Sequence, residues 1–195
     1  MIAFVRGKFV NKNPAQVIVD VNGVGYDCHI SLNTYSAIAD KESGLLFTYL
    51  HITENGHTLY GFAEHSEKEL FIQLISVSGV GAATARMMLS GLRPEEITKA
   101  IVQGNVKLLE SIKGIGKKTA ERLVLELRDK LGKNASDIVF TSNAATNRIE
   151  NDALNALISL GIPRMNAEKA IKNVITSGDS NIILEDLIKK ALKSI

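Results

Sequence analysis

The chain has 195 residues, 45% of them hydrophobic, and a formal net charge of +2. It can therefore bury one core or two to three small ones, and it is not a polycation. Arg6 and Lys8 interrupt the first apolar stretch, and no apolar run approaches the ~20 residues of a membrane helix. We accordingly expect no signal peptide, no membrane span and a cytoplasmic protein. Cys28 is the single cysteine, which predicts a small core residue rather than a disulfide or zinc site.

Residues 1–63 are predicted to form strands with one short helix. Asn22-Gly23 and Asn55-Gly56 are strong hairpin signals, and a turn is expected at residues 11–14. The order βββαββ is typical of an OB-fold, a five-stranded barrel that often binds nucleic acid. The predicted elements are strands Ile2–Val10, Gln16–Val21 and Val24–Ile30, a helix Ser31–Asp40, and strands Gly44–Thr53 and His57–Phe62.

Aromatic residues are too scarce for a surface that stacks single-stranded bases, since the chain has 4 Tyr, 6 Phe and no Trp. The phenylalanines of this segment are instead predicted in the barrel core, at Phe4, Phe9, Phe47 and Phe62. Four basic residues, Arg6, Lys8, Lys12 and His29, are candidates for contact with a DNA backbone, and Arg6 is the preferred one. For any one of them, a solvated strand face is the better explanation.

The segment from Leu70 to Leu131 contains one ten-residue sequence motif twice. Residues 76–85 read SVSGVGAATA and residues 111–120 read SIKGIGKKTA, with five identical positions at a spacing of 35. Each copy has a helical apolar run on both sides of a Gly-apolar-Gly turn. The repeat predicts two helix-hairpin-helix units, joined by a helix that begins at Pro94.

The repeated turn suits phosphate binding by backbone amides. The glycines allow positive φ and close approach of a ligand, and the unpaired first-turn amides of the following helix attract an anion. The predicted phosphate-binding residues are Gly79, Val80, Gly81 and Ala82 in the first copy and Gly114, Ile115, Gly116, Lys117, Lys118 and Thr119 in the second. For one copy alone, helix C-caps in an ordinary bundle explain Gly79 and Gly114 equally well. The second copy favours phosphate binding.

Two other glycine motifs are excluded by their spacing. A Walker A loop requires a glycine where Ser111 stands and a serine or threonine directly after Lys117. A dinucleotide fingerprint requires a third glycine where Thr119 stands, after a strand rather than a helix. No catalytic constellation is recognisable, and no metal or cofactor is expected.

After Gly132, where the second module is predicted to end, the composition changes. Residues 133–147 are rich in Asn, Ser, Ala and Thr and predict a flexible linker, in which Ile138-Val139-Phe140 could dock transiently. Residues 148–195 predict three short helices, interrupted at Gly161 and Pro163.

The paired hairpins, above all Gly114 to Leu123 in the second, resemble the RuvA family of Holliday-junction-binding proteins. The resemblance covers the whole chain, including the landmarks Val5-Arg6-Gly7, Gly23-Val24-Gly25-Tyr26 and Leu59-Tyr60-Gly61-Phe62. It implies an OB-fold domain at 1–63, a tandem helix-hairpin-helix DNA-binding domain at 64–132, a linker at 133–147 and a UBA-like three-helix domain at 148–195.

The resemblance also implies a homotetramer, or an octamer on the junction, that binds four-way DNA without sequence preference. The implied partners are a RuvB-type hexameric ATPase and a RuvC-type resolvase, and the chain itself is not an enzyme. The positions that match the family's motor-docking surface are Leu157, Leu160, Ile162 and Leu192. For Leu157 and Leu192, a place in the domain's own core is at least as good an explanation.

Two departures from the family pattern concern the DNA contacts. Ala82 and Ala83 follow the first hairpin where relatives often have a lysine, so that hairpin would depend on backbone amides alone. The acidic pin between the last two strands is Glu54-Asn55, with one acid where two are usual. A solvated turn residue is an equally good explanation of Glu54.

Two other functions compete with junction binding. A DNA glycosylase or lyase can use the same hairpin module, but its Gly-Pro-Asp pattern is missing beyond the second hairpin, where helical Glu126 and Asp129 stand. A protein-interaction scaffold that binds no nucleic acid is compatible with the low net charge.

Overall fold

The computed structural model describes residues 1–54, 56–136, 146–176 and 183–194. They form two compact units, residues 1–135 and 136–195. The first unit holds a five-stranded barrel and the helical hairpin module, and the second holds three helices. No helix within the described residues is both long and apolar enough to cross a membrane.

The barrel is closed, with strand order β1-β2-β3-β5-β4, which confirms the predicted OB-fold. β3 and β5 pair in parallel and the other neighbours pair antiparallel. Helix α1 connects β3 to β4 along the chain, and the Ser31 side chain caps its first turn. The elements are β1 (Phe4–Asn13), β2 (Gln16–Val21), β3 (Val24–Ile30), α1 (Leu32–Ile38), β4 (Ser43–Thr53) and β5 (Gly56–Phe62).

The first turn of the barrel differs from the prediction. β1 does not stop before residue 11 but continues to Asn13, through a bulge between Phe9 and Asn11. The turn is at Pro14 and Ala15 instead. Asn13 Oδ1 accepts hydrogen bonds from the backbone N–H groups of Ala15 (3.0 Å) and Gln16 (2.8 Å). This side-chain turn fixes the corner without requiring a glycine.

The prediction that four phenylalanines lie in the barrel core was wrong for Phe4, whose surface is 54% exposed. Val5, its neighbour, points inward, so the period of two along a strand places Phe4 outside. Its partner on β4, Phe47, is half-buried and contacts His65 edge-on at 5.3 Å. Phe62 is buried in the core of the hairpin module rather than that of the barrel. Only Phe9 lies in the barrel core, as does Cys28, whose pKa burial raises to about 12.

Five helices build the hairpin module, and one buried core joins them to the outer face of β5. Phe71 of the first helix packs on Tyr60 and Phe62, with ring centroids 5.0 and 4.9 Å apart. The helices are α2 (His65–Ile75), α3 (Ala82–Gly91), α4 (Pro94–Gln103), α5 (Val106–Glu110) and α6 (Lys117–Ser136).

The last helix of the module is longer than predicted, because α6 does not end at Gly132. A glycine inside a helix costs only about 1 kcal/mol relative to alanine, and the helix continues to Ser136. The next helix, α7, begins at Thr146. Of the predicted linker, residues 137–145, with Ile138-Val139-Phe140, lie outside the described residues.

The second unit confirms the predicted three helices, α7 (Thr146–Ser159), α8 (Arg164–Thr176) and α9 (Leu184–Ser194). Its core is small and rich in alanine, which lets short helices approach closely. The fully buried residues are Ala153, Leu157, Ala167, Leu187 and Ala191.

Candidate nucleic-acid interface

The two predicted hairpins have the same backbone. Gly79 and Gly114 both adopt positive φ, at +94° and +93°. In each turn the apolar residue between the glycines donates its N–H to the carbonyl three residues earlier at 3.0 Å, Val80 to Val77 and Ile115 to Ile112. Val80 and Ile115 are also buried in the module core. The apolar residue thus anchors each turn and leaves the flanking peptide groups at the surface.

The second glycine of each turn is the residue from which the next helix starts. Gly81 lies at φ −79° and ψ 166°, angles that any residue adopts, and no side chain caps α3. A Cβ added at Gly81 or Gly116 would meet no atom within 4 Å. The first-turn amides of α3 and α6 have no acceptor within their own helices. This arrangement can accept an oxyanion from outside the chain.

The two hairpins lie side by side and contact each other reciprocally. A Cβ built on Gly79 would lie 3.9 Å from Thr119 Oγ1, and one built on Gly114 would lie 3.9 Å from Thr84 Cγ2. Thr84 and Thr119 are equivalent positions in the repeat. An approximate two-fold relation therefore brings the two amide clusters together on one surface of the module.

Positive charge is distributed unequally over this surface. The second hairpin has exposed lysines at Lys113, Lys117 and Lys118, whereas residues 76–85 contain none. Arg122, on α6, donates from Nη1 to the Ser78 carbonyl of the first hairpin at 3.2 Å. Sequence reasoning had missed Lys113 and Arg122. Lys113 could have been found from its place within the turn, but the contact of Arg122 crosses between the repeats and has no local signal.

Among the predicted barrel contacts, Arg6 and Lys8 are exposed on β1 and border one shallow groove of about 550 Å³. Asp20 also lines it, beside the apolar Val21 and Leu45, so the groove carries charges of both signs. Contact of Arg6 and Lys8 with DNA stays a prediction.

His29 has a different environment from these two residues. Its Nδ1 lies 3.3 Å from Arg86 Nη1 of α3, and its Nε2 lies 3.2 Å from Gln16 Nε2. The ring also contacts Tyr60 edge-on at 5.9 Å. Both ring nitrogens of His29 are therefore engaged where the barrel meets α3, and its contact with DNA remains a prediction that the geometry does little to support.

The predicted acidic pin is described only in part. Glu54 is exposed directly after β4, at the tip of the hairpin with β5. Asn55 lies outside the described residues. An exposed carboxylate at this tip presents its negative charge to any ligand that approaches.

The four predicted docking positions of the second unit fall into two groups. Leu157 is fully buried in the core of its own unit, as the alternative explanation requires. Ile162 is half-buried, and Leu160 and Leu192 are exposed by 63% and 43%. Met165 and Ile183, which sequence reasoning did not single out, are further exposed apolar residues of this unit.

No cluster of three or more His, Cys, Asp or Glu side chains that could hold a metal ion occurs in the described parts of the chain. The residues described above form a surface of backbone amides and lysines, which can attract a polyanion.

Comparison with known proteins assigns each segment to a domain family. Residues 1–61 match the RuvA N terminal domain, residues 71–129 the SAM-like helix-hairpin-helix tandem, and residues 148–195 the RuvA C-terminal domain.

Full-length relatives agree with these domain matches. The chain is 47% identical to a Holliday junction branch migration complex subunit RuvA from Christiangramia forsetii, with all of both chains covered. It is 46% identical to the protein of that name from Flavobacterium psychrophilum, again over both whole chains. Identity to the Cytophaga hutchinsonii protein of that name is 45%, over 99% of each chain.

Proposed function

The chain belongs to the RuvA family, and from that premise we propose that it binds four-way DNA junctions without sequence preference and recruits a RuvB-type ATPase for branch migration. It acts as the non-catalytic, DNA-binding subunit of the complex, in recombination and DNA repair. The hairpin module binds the DNA arms and the three-helix unit binds the motor.

One observation carries the DNA-binding part of this proposal. Gly81 has backbone angles that need no glycine, and a side chain there would meet nothing within the protein. Neither backbone strain at Gly81 nor packing at Gly81 or the open position Gly116 therefore requires a residue without a side chain. A phosphate that approaches the amides of α3 and α6 does explain such a residue, since a Cβ would obstruct the approach.

Contact through main-chain amides also accounts for binding without sequence preference. The amides reach phosphates, which are the same in every sequence, and we assign the lysines of the second turn to phosphates as well rather than to base edges. A subunit that must follow a moving junction requires this property.

We propose a homotetramer that places four hairpin modules around the junction, one for each arm. For a second tetramer on the opposite face, α6 offers a contact. Leu125 is 83% exposed on this helix, on the side away from the buried Leu123 and Leu127. An ion pair of 3.5 Å between Arg122 and Glu126 lies beside it. An exposed leucine next to charges of both signs suits an isologous contact between copies.

Leu125→Glu tests the octamer. In sedimentation of the protein on a four-way junction at rising protein concentration, we expect the wild type to progress from one tetramer to two. The variant should stop at one, because the substitution places like charges at the symmetric contact. Two tetramers of the variant at wild-type concentrations would exclude α6 from the contact.

For the motor, Leu160, Ile162 and Leu192 are proposed as the docking surface, because they combine apolar side chains with exposure. Leu157 supports this surface from the core. A RuvC-type resolvase is proposed as a further partner when a single tetramer leaves the other face of the junction accessible.

A gel shift with four-way and linear DNA of equal length at matched salt tests the proposal. We expect clear preference for the junction, and the same affinity for junctions of different sequence. Equal affinity for both DNAs would indicate a general helix-hairpin-helix DNA-binding protein, and no binding would indicate a scaffold. Incubation with abasic or damaged DNA should yield no strand cleavage, whereas cleavage would favour the glycosylase or lyase.

A further inference from the structure

A buried polar contact joins the barrel to the first helix of the hairpin module. Glu67 of α2 is only 3% exposed, and Ser31 and Thr34 of the α1 region are fully buried beside it. One carboxylate oxygen of Glu67 accepts a hydrogen bond from Ser31 Oγ. The other accepts from Thr34 Oγ1 at 2.7 Å. Both hydroxyl groups belong to the barrel, and both donate to one carboxylate of the hairpin module.

The same hydroxyls also accept hydrogen bonds from the main chain. Ser31 Oγ accepts from the Thr34 N–H, and Thr34 Oγ1 accepts from the Ala63 N–H, each at 3.0 Å. Ala63 lies between the end of β5 and the start of α2. The chain segment that leads from β5 into α2 is therefore hydrogen-bonded to the α1 region at two points, Ala63 and Glu67.

Stability alone does not account for Glu67. Burial raises its pKa, the hydroxyl hydrogen bonds lower it, and the carboxylates of Glu64 and Glu95 raise it further. No described cation pairs with it. A buried carboxyl without a counterion costs more free energy than a well-packed apolar side chain of the same volume, so we attribute the presence of Glu67 to the geometry that its hydrogen bonds fix.

A second set of contacts ties the barrel to α3, the helix that starts from the first hairpin. Asn33 Nδ2 of α1 donates to the carbonyls of Leu89 and Leu92, at 2.6 and 3.0 Å. Arg86 Nη1 donates to the Ala15 carbonyl at 3.0 Å. Because hydrogen bonds are directional, these contacts restrict sliding of α3 along the barrel more than apolar packing would.

We propose that this joint, formed by Ser31, Asn33, Thr34, Glu67 and Arg86, determines preference for junctions by holding the barrel and the hairpins at one fixed angle. The inference rests on the proposed junction binding. A four-way junction presents its arms and its centre in a set arrangement, which the hairpins and the barrel must meet together. A linear duplex can occupy the hairpins alone. A rigid joint therefore preorganises the protein for the four-way junction but gives no advantage in binding linear duplex.

The test uses two full-length variants that loosen the joint at different places. Thr34→Val keeps the branched shape and removes the hydroxyl, and Asn33→Ala removes two of the hydrogen bonds with the α3 region at a half-buried position. If the competent angle is then populated in one molecule in ten, the apparent Kd for the junction rises about tenfold. The Kd for linear duplex should not change. Thr34→Ser, which restores the hydroxyl, should restore the junction Kd.

Val19→Ala serves as the matched control, because Val19 is fully buried in the barrel core and takes no part in the joint. All affinities are measured well below the lowest melting temperature in the set. A narrowed junction-to-duplex ratio in both joint variants, but not in Val19→Ala, supports the inference. An unchanged ratio in the joint variants, or the same narrowing in the control, would overturn it and leave junction binding intact. A wild type without junction preference would overturn both proposals.

Discussion

At the scale of single residues, the four hairpin glycines have two different tasks. Gly79 and Gly114 have positive φ, which side chains adopt only with strain, so they are required by the turn. Gly81 has ordinary backbone angles, and a side chain at Gly81 or Gly116 would enter open space. The fold needs the first glycine of each pair, and we attribute the second to the ligand.

Substitution separates these tasks. Gly114→Val should destabilise the protein by about 1–3 kcal/mol through backbone strain, and it should lower DNA affinity as well. Gly81→Ala should change stability by no more than about 1 kcal/mol, because alanine restricts the unfolded chain but is a poorer N-cap for α3 than glycine, yet it should weaken DNA binding. Thermal melts and junction Kd values measured side by side provide the comparison. A Gly81→Ala protein with wild-type affinity would show that the turn amides do not approach phosphate.

At the scale of the elements, the two hairpins share a backbone but differ in charge. The second has Lys113, Lys117 and Lys118 at its surface, whereas the first depends on its amides and on Arg122 from α6. Amides give direction to a phosphate contact, and lysines add attraction that depends on ionic strength. We therefore expect the second hairpin to supply most of the salt-dependent affinity.

The double variant Lys117→Ala with Lys118→Ala tests that division. It should weaken binding to junctions of every sequence equally and flatten the plot of log K against log salt by about 2, because each phosphate that a lysine neutralises adds about 1 to the slope. Lys189→Ala with Lys193→Ala removes the same charge from α9 and is the control, for which we expect an unchanged slope. A wild-type slope in the Lys117 and Lys118 variant would remove these lysines from the DNA-binding surface.

Elements with a local signal could be predicted from the sequence. The repeat located both hairpins, because positive φ at Gly79 and Gly114 is a property of a few adjacent residues. The Asn22-Gly23 turn and the barrel order follow from similarly short patterns. Features that depend on distant residues were missed or misplaced. Phe4 was expected inside the barrel but is exposed, and Glu67 gave no sign that its partners would be Ser31 and Thr34, more than thirty positions earlier.

At the scale of the whole molecule, the symmetry of the proposed tetramer would bring four copies of the Glu54 charge close together. In the proposed tetramer, Glu54 from each subunit would lie near the crossover of the junction, and four carboxylates would face the DNA. Like charges repel, so this hub should lower affinity for any duplex that lies across the centre while an open junction avoids it. Junction preference would then depend on repulsion as well as on fit.

Glu54→Gln should accordingly tighten binding to linear duplex more than to a four-way junction at low salt, which narrows the ratio of the two affinities. Higher salt should shrink the difference between variant and wild type through screening. Both affinities, measured for both proteins at two salt concentrations, decide the matter. An unaltered ratio would make Glu54 an ordinary solvated turn residue.

The proposed division of labour between DNA binding and motor docking predicts that the two activities can be separated by truncation. The cut belongs after Ser136 rather than at the sequence-predicted boundary of 132, because α6 continues to Ser136 and its buried Leu127 and Leu131 belong to the module core. Removal of residues 137–195 should leave the junction Kd within about twofold of the wild-type value, since both hairpins and the module core lie before the cut. Stimulation of the RuvB-type ATPase should be abolished.

In the full-length chain, Leu160→Asp with Leu192→Asp should reproduce that loss, because charged side chains on an apolar docking surface are desolvated without a partner. A truncated protein that still drives branch migration would place motor docking in the first unit, whereas loss of DNA binding on truncation would place part of the DNA interface in the second.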